Sequence, residues 1–159
     1  MSNAIICDLD GTLAECEHRV HHVQKGDGNG LKKRPDWGAF FAGVRDDTVN
    51  GAVLSVLDRF MAYGNPRLEI IFCSGRPEQC REDTQWWLGN VAHLFWDDYT
   101  LFMRPDGDFR ADNIVKQEIY DTHIKGKYDV LFVMDDRQQV VDMWRRNGLT
   151  CFQVAEGNF

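Results

Sequence analysis

The sequence predicts an α/β fold: a Rossmann-like parallel sheet of about five strands with helices on both faces. Three observations carry this prediction. Short apolar runs bounded by turn residues recur along the chain, amphipathic stretches of helical period separate them, and polar residues with chemical potential follow the ends of several runs. Alternating strands and helices close as a parallel sheet with right-handed crossovers. The active site of such a sheet lies beyond the carboxyl ends of its strands.

The first strand is expected at residues 4–7 (Ala-Ile-Ile-Cys). Residues 15–50 are the irregular part of the chain. They hold His18-Arg19-Val20-His21-His22, the glycine-rich run Gly26-Asp27-Gly28-Asn29-Gly30 and the basic run Lys32-Lys33-Arg34. Within them, residues 36–44 are expected as a short helix with Trp37, Phe40 and Phe41 facing the core. Residues 51–63 carry Val53, Leu54, Val56, Leu57, Phe60 and Met61 at helical spacing. A strand at 69–73 is followed by a helix at 77–90, opened by Pro77 and closed at Gly89-Asn90. A third strand at 100–103 precedes a helix at 112–124 with Ile114, Val115 and Ile119 on its apolar side. The strand at 130–134 leads to a helix at 137–147 built on Val140, Val141 and Trp144 and ended by Gly148. Residues 151–154 form the last strand.

The chain of 159 residues is read as one domain spanning 1–159, long enough to bury a substantial core. Apolar residues make up 43% and charged residues 27%, values of an ordinary globular protein. No apolar stretch approaches the length of a membrane span, and no basic-then-apolar leader is present, so no membrane partner is expected. Five cysteines without a Cys-x-x-Cys pair fit a reducing cytoplasm better than a disulfide scaffold. The net charge of −7 argues against a protein that coats long nucleic acid, though not against recognition of one phosphorylated end. No Gly-x-x-x-x-Gly-Lys-[Ser/Thr] pattern occurs, which disfavours a Walker-type nucleoside triphosphatase.

Asp8-Leu9-Asp10-Gly11-Thr12 directly follows the first strand. Alternation of strand side chains would project Asp8 and Asp10 from one face. Two like charges that close persist only with a cation or a proton between them. Mg²⁺, a hard ion that prefers oxygen, suits the pair and leaves one carboxylate to attack phosphorus. Ser74-Gly75-Arg76 follows the second strand and Asp135-Asp136 the fourth, so three segments converge at one sheet edge. Asp8 is the candidate nucleophile and Asp10 the candidate acid/base. Asp135 and Asp136 would complete the metal site with Asp8 and the Asp10 main-chain carbonyl. Ser74, the Gly75 turn amides and Thr12 are candidate phosphate donors, and Lys116 would neutralise nucleophile and phosphate. Alone, an Asp-Asp doublet is usually a turn and a helical lysine a surface group. Their order at three strand ends is what points to phosphoryl chemistry.

That set resembles the haloacid dehalogenase superfamily: Asp-x-Asp-Gly-Thr, then Ser-Gly-Arg, then Lys, then Asp-Asp. The run from Asp135 to Arg146, the stretch from Cys151 to Phe159 and the segment from Asp112 to Ile119 are similar to the 3′-phosphatase domain of phage polynucleotide kinase–phosphatases. The resemblance implies a Mg²⁺-dependent phosphomonoesterase that forms an aspartyl-phosphate and removes 3′-phosphates from polynucleotide ends or nucleotides. It also implies functional roles for Asp112 and substrate contacts for Arg76 and Arg19. The kinase module of the bifunctional enzymes has no counterpart here, so 5′ phosphorylation is expected to be absent. A phage origin would place the protein in the host cytoplasm. Residues 15–50 are longer than in the family domain, an insertion that could act as a small cap and change which substrates enter. Two other readings stay open: a mononucleotide or other small-molecule phosphatase of the same superfamily, and a non-catalytic phosphate- or partner-binding module. The oligomeric state also stays open, a homodimer included.

Other features carry weaker expectations. His18, His21 and His22 lack a cysteine or carboxylate framework and read as a solvent-facing or substrate-edge cluster. Lys25, Lys32, Lys33 and Arg34 read equally as a phosphodiester grip or a solvated loop. Trp87 is expected in the core, whereas Trp86 and Trp96 could stack on a base. Arg110 is a substrate candidate and Asp106-Gly107 a turn. Met143 and Trp144 are expected to pack the last helix without further function.

Overall fold

The computed structural model describes residues 1–24, 34–63 and 68–157. Its centre is a sheet of five parallel strands: β1 (Ser2–Cys7), β4 (Leu68–Pro77), β5 (Tyr99–Arg104), β6 (Tyr128–Asp135) and β7 (Cys151–Gln153). Their order is β5-β4-β1-β6-β7, so the strand that carries the acidic motif lies in the middle. Two further strands, β2 (Ala14–Glu15) and β3 (Thr48–Val49), pair antiparallel at either end of the insertion.

The period of two in β1 sorts its side chains between two cores. Ile5 and Cys7 join Ile70, Phe72, Leu101 and Met103 on one face, covered by Leu57 of α3 (Gly51–Tyr63) and by Trp87 and Leu88 of α4 (Arg81–Asn90). Ala4 and Ile6 join Ile71, Cys73 and Val133 on the other. That face is covered by α5 (Asp112–Ile119) through Val115 and Ile119, and by α6 (Gln138–Arg146) through Val140, Val141, Met143 and Trp144. β1 and β4 are therefore apolar on both faces, as expected for the centre of a parallel sheet. All five cysteines are buried and free.

The predicted strands and helices are present, with two changed boundaries. Pro77 does not open a helix. Its extended backbone (φ −69°, ψ 154°) closes β4 opposite Arg104, and a 3₁₀ turn over Glu78–Cys80 intervenes before α4. The helix expected at 112–124 is α-helical only to Ile119 and widens into a π turn over Tyr120–Ile124. Within the insertion, α1 (Glu17–Val20) and α2 (Trp37–Ala42) form a small third core of Cys16, Val23 and Phe40. The glycine-rich run and Lys25, Lys32 and Lys33 lie outside the described residues. Among those described, no helix is long and apolar enough to cross a membrane.

Candidate active site

A cavity of about 450 Å³ opens at the carboxyl edge of the sheet, and both Asp8 and Asp10 line it. Strand alternation is not what brings them there. β1 ends at Cys7, and the chain turns at once: the Thr12 and Ala14 amides both donate to the Leu9 carbonyl, at 3.0 and 2.8 Å. Gly11 takes φ +85°, a conformation open to glycine at little steric cost. Beyond the last ladder bond the two carboxylates are free to face different partners.

Asp8 is buried and accepts a 2.7 Å hydrogen bond from Lys116 Nζ. Lys116 is fully buried on α5 and also donates to Asp135 Oδ2 at 3.0 Å, with Asp112 Oδ2 at 3.3 Å one helical turn back. Burial by itself would lower the Lys116 pKa, but Asp112, Asp135 and Asp8 outweigh it and hold the ammonium well above its ordinary value. Asp8 is shifted the other way from a usual carboxylate. Burial, with Asp135, Asp136 and Asp112 nearby, raises it well above 3.8 despite Lys116.

One carboxylate oxygen from each of Asp8, Asp135 and Asp136 lies within 4.8 Å of the others. Among the described residues this is the group arranged to hold a metal ion. The donor set fits a hard divalent cation such as Mg²⁺, being entirely oxygen. Asp136 Oδ1 supports the fit: it is buried with no hydrogen-bond partner among the described residues, and burial together with Asp135 raises the Asp136 pKa to about 6. A cation would satisfy that oxygen and offset the crowding of acids.

The acids are held by groups that no motif reveals. The indole N–H of Trp144 donates to Asp135 Oδ2 at 3.2 Å, so this core residue also orients one of the three clustered carboxylates. Gln153 Nε2 donates to the Asp136 carbonyl at 2.9 Å, and the Val154 amide to the Asp135 carbonyl at 3.1 Å. At Gly157 a Cβ would fall 2.3 Å from Asp136 Oδ2. Gly157→Ala is therefore expected to displace that carboxylate and weaken Mg²⁺ affinity by about tenfold or more, as read by metal titration.

Asp10 faces away from this cluster. Arg76 Nε donates to both Asp10 oxygens at 3.0 and 3.1 Å, and Arg76 NH2 and Arg19 NH2 donate to Oδ1. Its side chain is thus not one of the three clustered carboxylates, and the metal role expected of Asp10 would rest on its main-chain carbonyl alone. Burial raises its pKa, but the two arginines prevail and bring it from 3.8 down to about 2. Because the folded value lies below the unfolded one, this contribution to stability is complete above about pH 4. It is lost as pH falls through 2, and amounts to about 2 kcal/mol. Asp10→Asn should flatten the corresponding acid limb of Tm against pH.

Arg19 and Arg76, expected to contact substrate, are 1% and 0% exposed. Their guanidinium groups are spent on Asp10 and on Asp47, a buried acid that motif reasoning missed. Asp47 accepts from Arg19 at 2.6 and 2.7 Å, from Arg76 at 3.0 Å, and pairs with His18 Nε2 at 2.9 Å. In this arrangement the two arginines orient the Asp10 carboxylate and do not line the cavity. His18 serves the same network. Asp47 stands in an unremarkable Arg-Asp-Asp loop, and only its burial and partners mark it.

Gly75 and Asp112 line the cavity, packed so closely that a Cβ on Gly75 would meet Asp112 Oδ1 at 2.3 Å. Ser74 and Thr12 are buried and stand behind the wall. The Ser74 hydroxyl accepts the Arg76 amide at 3.2 Å, while Thr12 Oγ1 has no hydrogen-bond partner among the described residues. Arg110 is tied on the surface to Asp108 and Glu118, at 2.6 and 2.7 Å, with a pKa raised by both. Trp87 is fully buried, as expected, and its indole donates to the Asp47 carbonyl at 2.7 Å. Trp37, expected in the core, is 42% exposed and lines the cavity.

A central parallel strand ending in an acidic pair, a buried lysine against the first acid and an Asp-Asp pair on the neighbouring strand define a phosphatase of the haloacid dehalogenase type. The chain belongs to the polynucleotide kinase phosphatase domain family, whose profile matches residues 2–159. It is 31% identical over 142 residues to a bifunctional polynucleotide kinase/RNA ligase of Autographa californica nuclear polyhedrosis virus, covering 89% of this chain and 18% of that protein. It superimposes over its full length on a chain of the Pnkp1/Rnl/Hen1 RNA repair complex with a TM-score of 0.76 and 36% identity, covering 44% of that chain. It thus spans less than half the length of these relatives. A haloacid dehalogenase-like hydrolase from Streptococcus pneumoniae, 14% identical, shares the fold with a TM-score of 0.64 over 93% of this chain and 82% of that one.

Proposed function

We propose that the chain is a Mg²⁺-dependent phosphomonoesterase that removes 3′-phosphates from polynucleotide ends through an aspartyl-phosphate. The observation that carries this reading is the separation of partners: Asp8 lies against Lys116 and Asp10 against Arg76 and Arg19, although one residue separates them. A pure phosphate binder needs no such division between a nucleophile and an acid/base. The family, and the RNA repair complex in which a relative is found, supports nucleic acid ends as substrate.

In the proposed reaction an Asp8 carboxylate oxygen attacks phosphorus in line as the ester oxygen leaves. Lys116 restrains Asp8 and offsets charge beside it. Asp10 delivers the proton to the leaving oxygen, then takes one from the water that attacks the aspartyl-phosphate, which restores Asp8 and releases phosphate. Free Asp10 is ionised at neutral pH. An incoming phosphate dianion beside it offsets the two arginines and favours its protonated form. Asp8, Asp135 and Asp136 would hold Mg²⁺, which supplies charge neutralisation at the phosphoryl oxygens.

The test is phosphate release from a 3′-phosphorylated oligonucleotide, a 3′-mononucleotide, a 5′-mononucleotide and an aryl phosphate, with Mg²⁺ and with chelator. Chelator-sensitive preference for the 3′-phosphorylated end is expected. Preference for 5′-mononucleotides would overturn the assignment.

A further inference from the structure

We infer that Trp37 and Phe109 form a nucleobase subsite, which takes the unpaired terminal base next to the phosphate being removed. The inference rests on the proposed function for its polynucleotide substrate, but not for the presence of the subsite.

Trp37 of α2 and Phe109 of the loop between β5 and α5 both line the cavity that holds Asp8 and Asp10. Phe109 is 93% exposed, so its ring contributes little to the fold. A large aromatic group left bare in a cavity that also holds two carboxylates is informative, because a single exposed ring elsewhere would need no explanation.

Trp37 is held as a fixed surface. Its ring stacks on Phe41 (centroids 5.9 Å apart, planes at 25°) and meets Phe40 edge-on at 5.6 Å. Phe40 in turn carries the Arg19 guanidinium over its ring at 4.2 Å and accepts a 3.2 Å hydrogen bond from Arg19 at its carbonyl. Arg19 then reaches Asp10. A base laid on Trp37 is therefore linked through three packed groups to the proposed acid/base, which suits the nucleotide that bears the scissile ester.

The charges of the wall point the same way. Arg104 is bound to Asp112 at 3.2 Å and to the carbonyls of Gly75, Asp108 and Arg110. Arg110 is neutralised by Asp108 and Glu118. These two arginines are not a track for a long phosphodiester backbone. Stacking, which tolerates any base, is a means of holding the end that these two arginines do not supply. The volume of about 450 Å³ lies within the range of small-ligand sites and is enough for a nucleotide.

The test compares kcat/KM for an oligonucleotide whose 3′-phosphate lies on a normal nucleotide with one whose 3′-terminal unit is abasic. The same comparison is made between a nucleoside 5′-monophosphate and ribose 5-phosphate. The wild type should prefer the base-bearing partner by about tenfold or more, purines above pyrimidines. Phe109→Ala and Trp37→Ala should each shrink that ratio several-fold through KM, while Trp37→Phe retains most of it. An equal rate on base-bearing and abasic substrates in the wild type, or a ratio untouched in both alanine variants, overturns the subsite. If only 5′-phosphates are hydrolysed, the 3′-end assignment fails and the second pair still tests the subsite.

Discussion

Asp8→Asn is expected to lower phosphate release by about 10⁴-fold or more with little change in fold. The amide is close to isosteric and keeps an acceptor for Lys116 Nζ, which lies 2.7 Å from Asp8 Oδ1. What it removes is the proposed nucleophile. Asp10 is directed to the arginines, and Asp135 already accepts from Lys116 and Trp144. Steady-state kinetics at saturating Mg²⁺ measures the loss, and labelled substrate should leave no label on the variant. Full turnover by Asp8→Asn would exclude the covalent route. Because Asn also offers one neutral oxygen, metal affinity should fall as well.

Lys116→Met is expected to damage both activity and stability. The ammonium is fully buried among Asp8, Asp112 and Asp135, at 2.7, 3.3 and 3.0 Å. Methionine keeps the volume and removes the positive charge at their centre. Leaving buried acids without that partner costs about 3–5 kcal/mol. In the parent protein the folded lysine pKa lies above the unfolded one. Its contribution is therefore complete at neutral pH and is lost only as pH rises through the folded value. In the variant the acids are left to bind protons. Carboxyls with folded pKa values raised above 3.8 lose stability as pH rises through the interval between the unfolded and folded values. Thermal melts of Lys116→Met should therefore show a Tm that falls from mildly acidic to neutral pH, with partial recovery on adding Mg²⁺. A neutral-pH Tm equal to the parent's would mean that the three acids do not depend on Lys116.

Much of the candidate site was legible as sequence because its acids sit at strand ends. Asp8, Asp135 and Asp136 follow apolar runs that read as strands, and a parallel sheet sends all such ends to one edge. Lys116 was legible through its place in the motif order. Its burial was not, since a lysine on a helix is ordinarily exposed. Trp144 shows the limit from the other side: helical period assigns it correctly to the core, yet period says nothing of an indole N–H aimed at Asp135. Asp47 and Phe109 carry no pattern at all. One is a loop acid that becomes a hub by being buried between two arginines, the other a loop phenylalanine left 93% exposed beside the acids.

By itself the sequence determined the strand and helix order, the two-sided core and the place of Asp8-Leu9-Asp10-Gly11-Thr12 at the end of the first strand as the candidate centre. These follow from periodicity and turn chemistry, which act over a few neighbouring residues. Only the tertiary structure decided what each acid faces. Asp8 and Lys116 are 108 positions apart, and Asp10 and Arg76 are 66 apart. Once β1 ends at Cys7, no local rule directs the next two carboxylates. Their directions are chosen by where α5 delivers a buried ammonium and where the insertion and β4 deliver two guanidinium groups, because a buried charge settles where its partner is.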